Sequence, residues 1–128
     1  SFVKYFSTVV DDLKKQYDEV FLVRNERLAP LAIYSFATGE RFEPDYLLFL
    51  REAGQPYKQE QIYVEPKGTH LLETDKWKEE FLLALRENAV PHTNYVDNTE
   101  YRITGLPFYN SEIRMGDFRM ALQAAVEN

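Results

Sequence analysis

At the start of the chain Phe2, Phe6, Val9, Val10, Leu13 and Tyr17 fall at three- and four-residue spacings, with Asp11, Asp12, Lys14 and Lys15 between them. That period predicts an amphipathic helix over residues 2–18. Val20-Phe21-Leu22-Val23 reads as a short buried strand and Leu31 to Phe36 as another. Ala37-Thr38-Gly39-Glu40-Arg41 then turns the chain back toward an apolar run, Pro44-Asp45-Tyr46-Leu47-Leu48-Phe49-Leu50. A further strand is predicted at Gln61-Ile62-Tyr63-Val64-Glu65-Pro66-Lys67, after the Gly and Pro punctuation of Arg51 to Pro56. Residues 75–88 carry an apolar stripe of Trp77, Phe81, Leu82 and Leu85, behind Thr74 or Asp75 as a cap, and form the clearest helix. A polar loop from Pro91 to Thr99, with His92 in it, leads to a strand at Tyr101-Arg102-Ile103-Thr104, which Gly105 to Asn110 ends. A last helix runs from about Asp117 to Val126. The order is helix, several antiparallel strands, helix, strand, helix. It implies an α/β domain whose central mixed sheet of four or more strands is flanked by helices 2–18 and 75–88.

Composition narrows the class. The 128 residues suit one domain with a real core, and 45% hydrophobic and 15% aromatic content exclude a disordered chain. There is no cysteine, which removes disulfide scaffolds and thiolate metal sites. No apolar run approaches the roughly 18 residues of a membrane span, and the first residues lack a signal-peptide pattern. A cytoplasmic location away from membranes is therefore expected. The sequence opens on Ser1 rather than methionine, and helical pattern starts at once, as in a fragment excised from a longer protein. Net charge is −6, with cations scattered rather than clustered. For a nucleic-acid enzyme this demands positive charge from a bound metal or from neighbouring domains, since phosphate contacts supply most non-specific affinity.

The candidate chemistry lies in two split signatures, Pro44-Asp45 and Glu65-Pro66-Lys67. If their strands fold back about Gly54-Gln55, paired residues have numbers summing to about 110, and Asp45 faces Glu65. Opposed side chains in an antiparallel pair have Cβ atoms roughly 4.5–5.5 Å apart, and like charges so placed repel. A divalent cation between them reverses the sign. Glu65 and Lys67 share a strand face, because side chains alternate with period two. Two carboxylates and an ammonium so gathered suit phosphodiester cleavage; the bland counterpart is two surface carboxylates and a solvated lysine. Asp12-Leu13-Lys14 matches the same acid-x-Lys spelling, but sits in a predicted helix and cannot join the hairpin.

These signatures, with the elements around them, resemble the core of the PD-(D/E)xK nuclease superfamily. Arg41-Phe42-Glu43-Pro44-Asp45-Tyr46-Leu47-Leu48-Phe49-Leu50 and Tyr63-Val64-Glu65-Pro66-Lys67-Gly68-Thr69-His70-Leu71-Leu72, followed by Asp75-Lys76-Trp77-Lys78, look like one branch of it. That branch is the C-terminal endonuclease domain of the type III restriction enzyme Res subunit, whose closing strand Tyr101 to Asn110 also matches. The resemblance spans nearly all of residues 1–128 and implies a single restriction-endonuclease-like domain. It implies that the domain stands behind a helicase motor in the full-length polypeptide. A Mod-like methyltransferase subunit would be the partner, and DNA the substrate. Asp45, Glu65 and the backbone carbonyl of Pro66 would hold Mg²⁺, with Mn²⁺ as a substitute, and Lys67 would orient or help deprotonate the attacking water. Cleavage would leave 5′-phosphate and 3′-hydroxyl ends. Several relatives add a carboxylate from the first helix, for which Asp11, Asp12, Asp18, Glu19 and Glu26 are unranked candidates.

Other residues read more modestly. His70, Lys76 and Lys78 follow the motif and are candidate DNA contacts, beside the plainer readings of a structural histidine and a solvated helix face. Trp77 and the Phe81 stripe read as core. Glu43 shares a strand face with Asp45 and competes with it as a ligand. Two rival functions stand beside the nuclease: a catalytically silent docking module of the same fold attached to a helicase, and a small acidic interaction domain.

Overall fold

The computed structural model describes residues 1–25, 33–34, 41–52, 57–87, 92–94 and 99–126. The expected turn about Gly54-Gln55 lies outside them, as do Glu26 and most of the segment from Leu31 to Arg41.

Helix α1 (Phe2–Gln16) starts at Ser1, whose hydroxyl accepts from the Lys4 N–H at 3.3 Å, and it buries Phe2 and Leu13. A five-stranded mixed sheet follows, built from β1 (Glu19–Arg24), β4 (Tyr46–Glu52), β5 (Tyr57–Val64), β7 (Thr99–Gly105) and β6 (His92–Asn94) in that spatial order. Strands β1, β4 and β5 are successive antiparallel neighbours, β5 and β7 run parallel, and β6 closes the far edge antiparallel to β7. Parallel neighbours need a crossover, and the chain makes it between β5 and β7 with helix α2 (Lys76–Glu87) and β6. A separate two-stranded sheet pairs β2 (Ile33–Tyr34) with β3 (Arg41–Phe42). Helix α3 (Met115–Val126) ends the fold.

The period-two pattern of the central strands divides the core. Leu48 and Leu50 of β4 and Ile62 and Val64 of β5 meet α1 and α3 on one face, where Phe118, Ala121, Leu122, Ala125 and Val126 form the buried stripe of α3. On the other face Leu82 of α2 packs on Phe108, with Tyr63, Leu72 and Trp77 around them.

Three local expectations need correction. The stretch read as a polar loop contains β6, so His92 pairs by its backbone with Tyr101. Strand β1 is an edge rather than a buried strand: Phe21 is 55% and Val23 43% exposed, because α2 docks over β7 at the other side of that face. Nor does the chain meander directly into β4 from β2. Strand β4 takes the six-residue β1 as its second neighbour, and among the described residues β2 and β3 pair with each other. Within the stripe of α2, Leu82 is fully buried while Trp77, Phe81 and Leu85 are half-buried.

Gly105 sets how closely α2 approaches the sheet. A Cβ there would lie 2.7 Å from the Leu82 carbonyl oxygen and 2.9 Å from Leu82 Cα, so helix backbone would have to move. Gly105→Ala is expected to destabilise by about 1–3 kcal/mol through overpacking. A thermal melt should fall by roughly 4–12 °C, and an unchanged melt would show that the helix yields freely.

Candidate active site

The site is built where a ladder stops. The register that pairs Leu47 with Tyr63 and Tyr46 with Val64, carried one step further, sets Asp45 opposite Glu65, as the spacing predicts. One more step sets Pro44 opposite Pro66, and neither proline has an N–H to donate. The antiparallel ladder therefore ends at Tyr46 and Val64, and the chain beyond turns to other partners. The Asp45 N–H donates to Glu65 Oε1 at 2.8 Å. Asn25, just past β1, fixes the same stretch: its N–H donates to the Asp45 carbonyl and its Nδ2 to the Pro44 carbonyl, both at 2.8 Å.

Across the other edge, Pro66 makes an isolated parallel bridge to Tyr109. The Tyr109 N–H donates to the Glu65 carbonyl at 3.0 Å, and the Lys67 N–H donates to the Tyr109 carbonyl at 2.9 Å. In this bridge pattern Pro66's own carbonyl faces the opposite side, toward β4. Asn110, which is buried, donates from Nδ2 to the Lys67 carbonyl at 3.0 Å and to Thr69 Oγ1 at 3.1 Å. Its Oδ1 accepts from the N–H groups of Glu112 and Ile113. The motif is thus clamped by the Tyr109 backbone and the Asn110 side chain on one side and tied through the Glu65 carboxylate to Asp45 on the other.

Lys67 and Glu65 are close and poorly hydrated, while Asp45 is exposed. Lys67 is 9% exposed at its side chain, with Nζ 2.7 Å from Asp75 Oδ2 and 3.4 Å from Glu65 Oε2. The same ammonium lies 5.4 Å from the centre of the Phe108 ring. Burial pushes the Glu65 carboxyl up, and the Asp45 charge adds to it, against the opposing pull of the Asp45 N–H and Lys67. Burial alone would lower Lys67, but the Asp75 hydrogen bond and the two carboxylate charges outweigh it and hold its pKa above the ordinary value. Asp75 is held below the usual carboxylate range by the Lys67 hydrogen bond.

Asp45, Pro66 and Lys67 line a cleft of about 360 Å³, together with Tyr46, Asn110 and Glu112. Among the described residues Glu65 Oε1 accepts from Asp45 and Oε2 faces Lys67, and an ionised carboxylate offers roughly four lone-pair sites, so capacity remains for a cation. Among the described residues no group of three or more His, Asp or Glu side chains gathers to hold a metal. Two carboxylates and a backbone carbonyl still fit Mg²⁺, which keeps several waters and takes one or two carboxylates.

The other candidates fall apart from this point. Asp11 and Asp12 lie exposed in the later turns of α1, whose first turn, the end near the cleft, carries no acid. Glu19 pairs with Arg51 at the far end of β4, about 20 Å along the strand from Asp45, and Asp18 adjoins it. Glu43 is exposed and precedes β4. His70 sits exposed in a single 3₁₀ turn (Thr69–Leu71), its imidazole against Gly68. Lys76 is exposed at the first turn of α2, whereas Lys78 lies 3.9 Å from Asp75 and over the Trp77 ring. Two contributors were missed by sequence reasoning, Asp75 and Asn110. The only signal for either was position: an acid just ahead of a helix, and the last residue of the closing segment.

Fold and site together define an α/β domain that gathers two carboxylates and a lysine where its central strands end. The chain belongs to the HI_1054_C family, described as a C-terminal domain, whose model matches residues 1–118. It is 40% identical over 115 residues to an uncharacterized protein of Haemophilus influenzae, covering 84% of this chain and 24% of that relative. The chain thus spans about a quarter of the length of the curated relative it matches. No solved structure matches it. Among the described residues, no helix is long and apolar enough to cross a membrane.

Proposed function

We propose that the domain is a Mg²⁺-dependent DNA endonuclease with a restriction-endonuclease-like fold, carried behind a helicase motor in a type III restriction enzyme. A Mod-like methyltransferase subunit would read the recognition sequence. The observation that carries this reading is that Glu65, at the proline-ended ladder, takes the Asp45 N–H on one oxygen and faces the Lys67 ammonium at 3.4 Å with the other. Most of the Haemophilus relative's length lies outside the matched segment, which leaves room for a motor.

When bound, Mg²⁺ supplies a Lewis acid and a water of lowered pKa. Asp45 and Pro66 line the cleft, and with Glu65 beside them the two carboxylates and the Pro66 carbonyl would be the oxygen donors that hold the ion. Lys67, kept charged beside them, stabilises negative charge as it builds on the phosphate in the transition state. Lys76, exposed at the start of α2, is available to a DNA phosphate. The products carry 5′-phosphate and 3′-hydroxyl ends. The net charge of −6 favours a second reading, a small acidic interaction domain with no nucleic-acid role.

Plasmid cleavage by the full-length protein separates the two. The nuclease cuts with Mg²⁺ or Mn²⁺, stops with EDTA, and loses all cutting in Glu65→Ala. A wild-type protein inert with both metals, or a Glu65→Ala variant that cuts at the wild-type rate, would overturn the assignment.

A further inference from the structure

Asp75 stands just ahead of α2, where an acid ordinarily turns back to cap the helix N-terminus. Here its carboxylate is directed to Lys67, at 2.7 Å. Backbone bonds hold it in that place: the Asp75 N–H donates to the Leu71 carbonyl at 3.0 Å, and its carbonyl accepts from the Lys78 N–H at 2.9 Å. The Lys67 backbone is clamped as firmly, by Tyr109 and Asn110. One degree of freedom remains, the swing of a long flexible side chain between two carboxylates. The ammonium is nearer Asp75 than Glu65, 2.7 against 3.4 Å.

We propose that Asp75 is a positioning residue that holds the Lys67 ammonium beside the reacting phosphate and off Glu65. The inference rests on the nuclease reading and adds to it a residue outside the Asp-Glu-Lys signature. Asp75 has two effects through one contact. It fixes the lysine's charge at a defined point, and it spares Glu65 Oε2 from a full ion pair that would compete with a cation. Without Asp75, the ammonium closes on Glu65, whose Oε2 already lies 3.4 Å away.

The test uses the full-length protein and two readouts, plasmid cleavage and Mn²⁺ affinity by calorimetric titration without DNA. Asp75→Ala should lower kcat and weaken Mn²⁺ binding by about 10- to 100-fold each, the usual cost of losing a residue that orients a metal-site group. KM for DNA should stay within about twofold, since uniform binding is untouched. Asp75→Glu, which keeps the carboxylate, should restore part of both. In a Lys67→Ala background the second change should add nothing, because its effect passes through the lysine. If Asp75→Ala melts below the assay temperature, Asp75→Asn, with the same shape and no charge, takes its place. Wild-type kcat and Mn²⁺ affinity in the Asp75 variants would overturn the inference alone, as would an equal Asp75 effect with and without Lys67. A wild-type protein that neither cuts nor binds Mn²⁺ would instead overturn the nuclease reading, and the inference with it.

Discussion

Lys67→Ala in the full-length protein is expected to bind Mn²⁺ and fail to cut DNA, with plasmid cleavage down by about 10²–10³-fold. The ammonium is no part of the oxygen set that would hold a cation, and its loss frees Glu65 Oε2 from a positive charge 3.4 Å away. Metal affinity should therefore hold or rise. What disappears is a positive charge, 9% exposed, at the spot where a phosphate would gain negative charge. In so dry a place charge stabilisation is strong, and it acts only as the transition state forms. The substitution also leaves Glu65 and Asp75 without their shared partner, at about 1–3 kcal/mol, so rates are compared well below the melt. ATP hydrolysis by an attached motor should continue unchanged. Cleavage at the wild-type rate would remove Lys67 from the chemistry.

The Asp45→Asn variant is expected to lose metal binding and cleavage and yet melt higher than the wild type when no metal is present. Its asparagine keeps the backbone N–H that donates to Glu65 Oε1 and drops only the charge. Glu65 is 5% exposed and has its carboxyl pushed up by burial and then by Asp45. Removing the opposed charge relieves about 0.2–1 kcal/mol, or roughly 1–5 °C in the melt. The pH dependence follows from the direction of that shift. A carboxyl whose folded pKa is raised weakens the fold once ionised, so the advantage of Asp45→Asn is present near pH 7–8. It shrinks as the pH falls through the raised Glu65 pKa, where protonation ends the repulsion in the wild type. Millimolar Mn²⁺ should invert the order by stabilising the wild type alone. A variant that melts lower at neutral pH, with its fold otherwise intact, would show that the two carboxylates do not repel.

How much of this was legible depends on whether the signal was local. The register of β4 and β5 could be read because punctuation at Gly54 and Pro56 and proline at both strand ends leave one alignment of two apolar runs. Helices α1, α2 and α3 could be read from their period. The parallel pairing of β5 with β7 could not, since Tyr101 to Thr104 has the same alternation in either direction. Its direction depends on how α2 docks, and that turns on Gly105, one residue with no side chain to advertise it. Strand β6 is three residues of a polar stretch and owes its form to β7. Within the site, Asp45, Glu65 and Lys67 were visible as a spelling. Asp75 was visible only as a helix cap, because its partner comes from tertiary placement across the 3₁₀ turn.

The two facing prolines have a further consequence. A hairpin behaves like a zip, and each added hydrogen-bonded pair draws the next carbonyls into the seam. At Pro44 and Pro66 the slider jams for want of two protons. Pro44's oxygen is taken up by Asn25, while that of Pro66 faces the β4 side, on a residue that lines the cleft. An alanine at position 44 would supply the missing donor and draw that oxygen into the seam, though every charged side chain stood where it was.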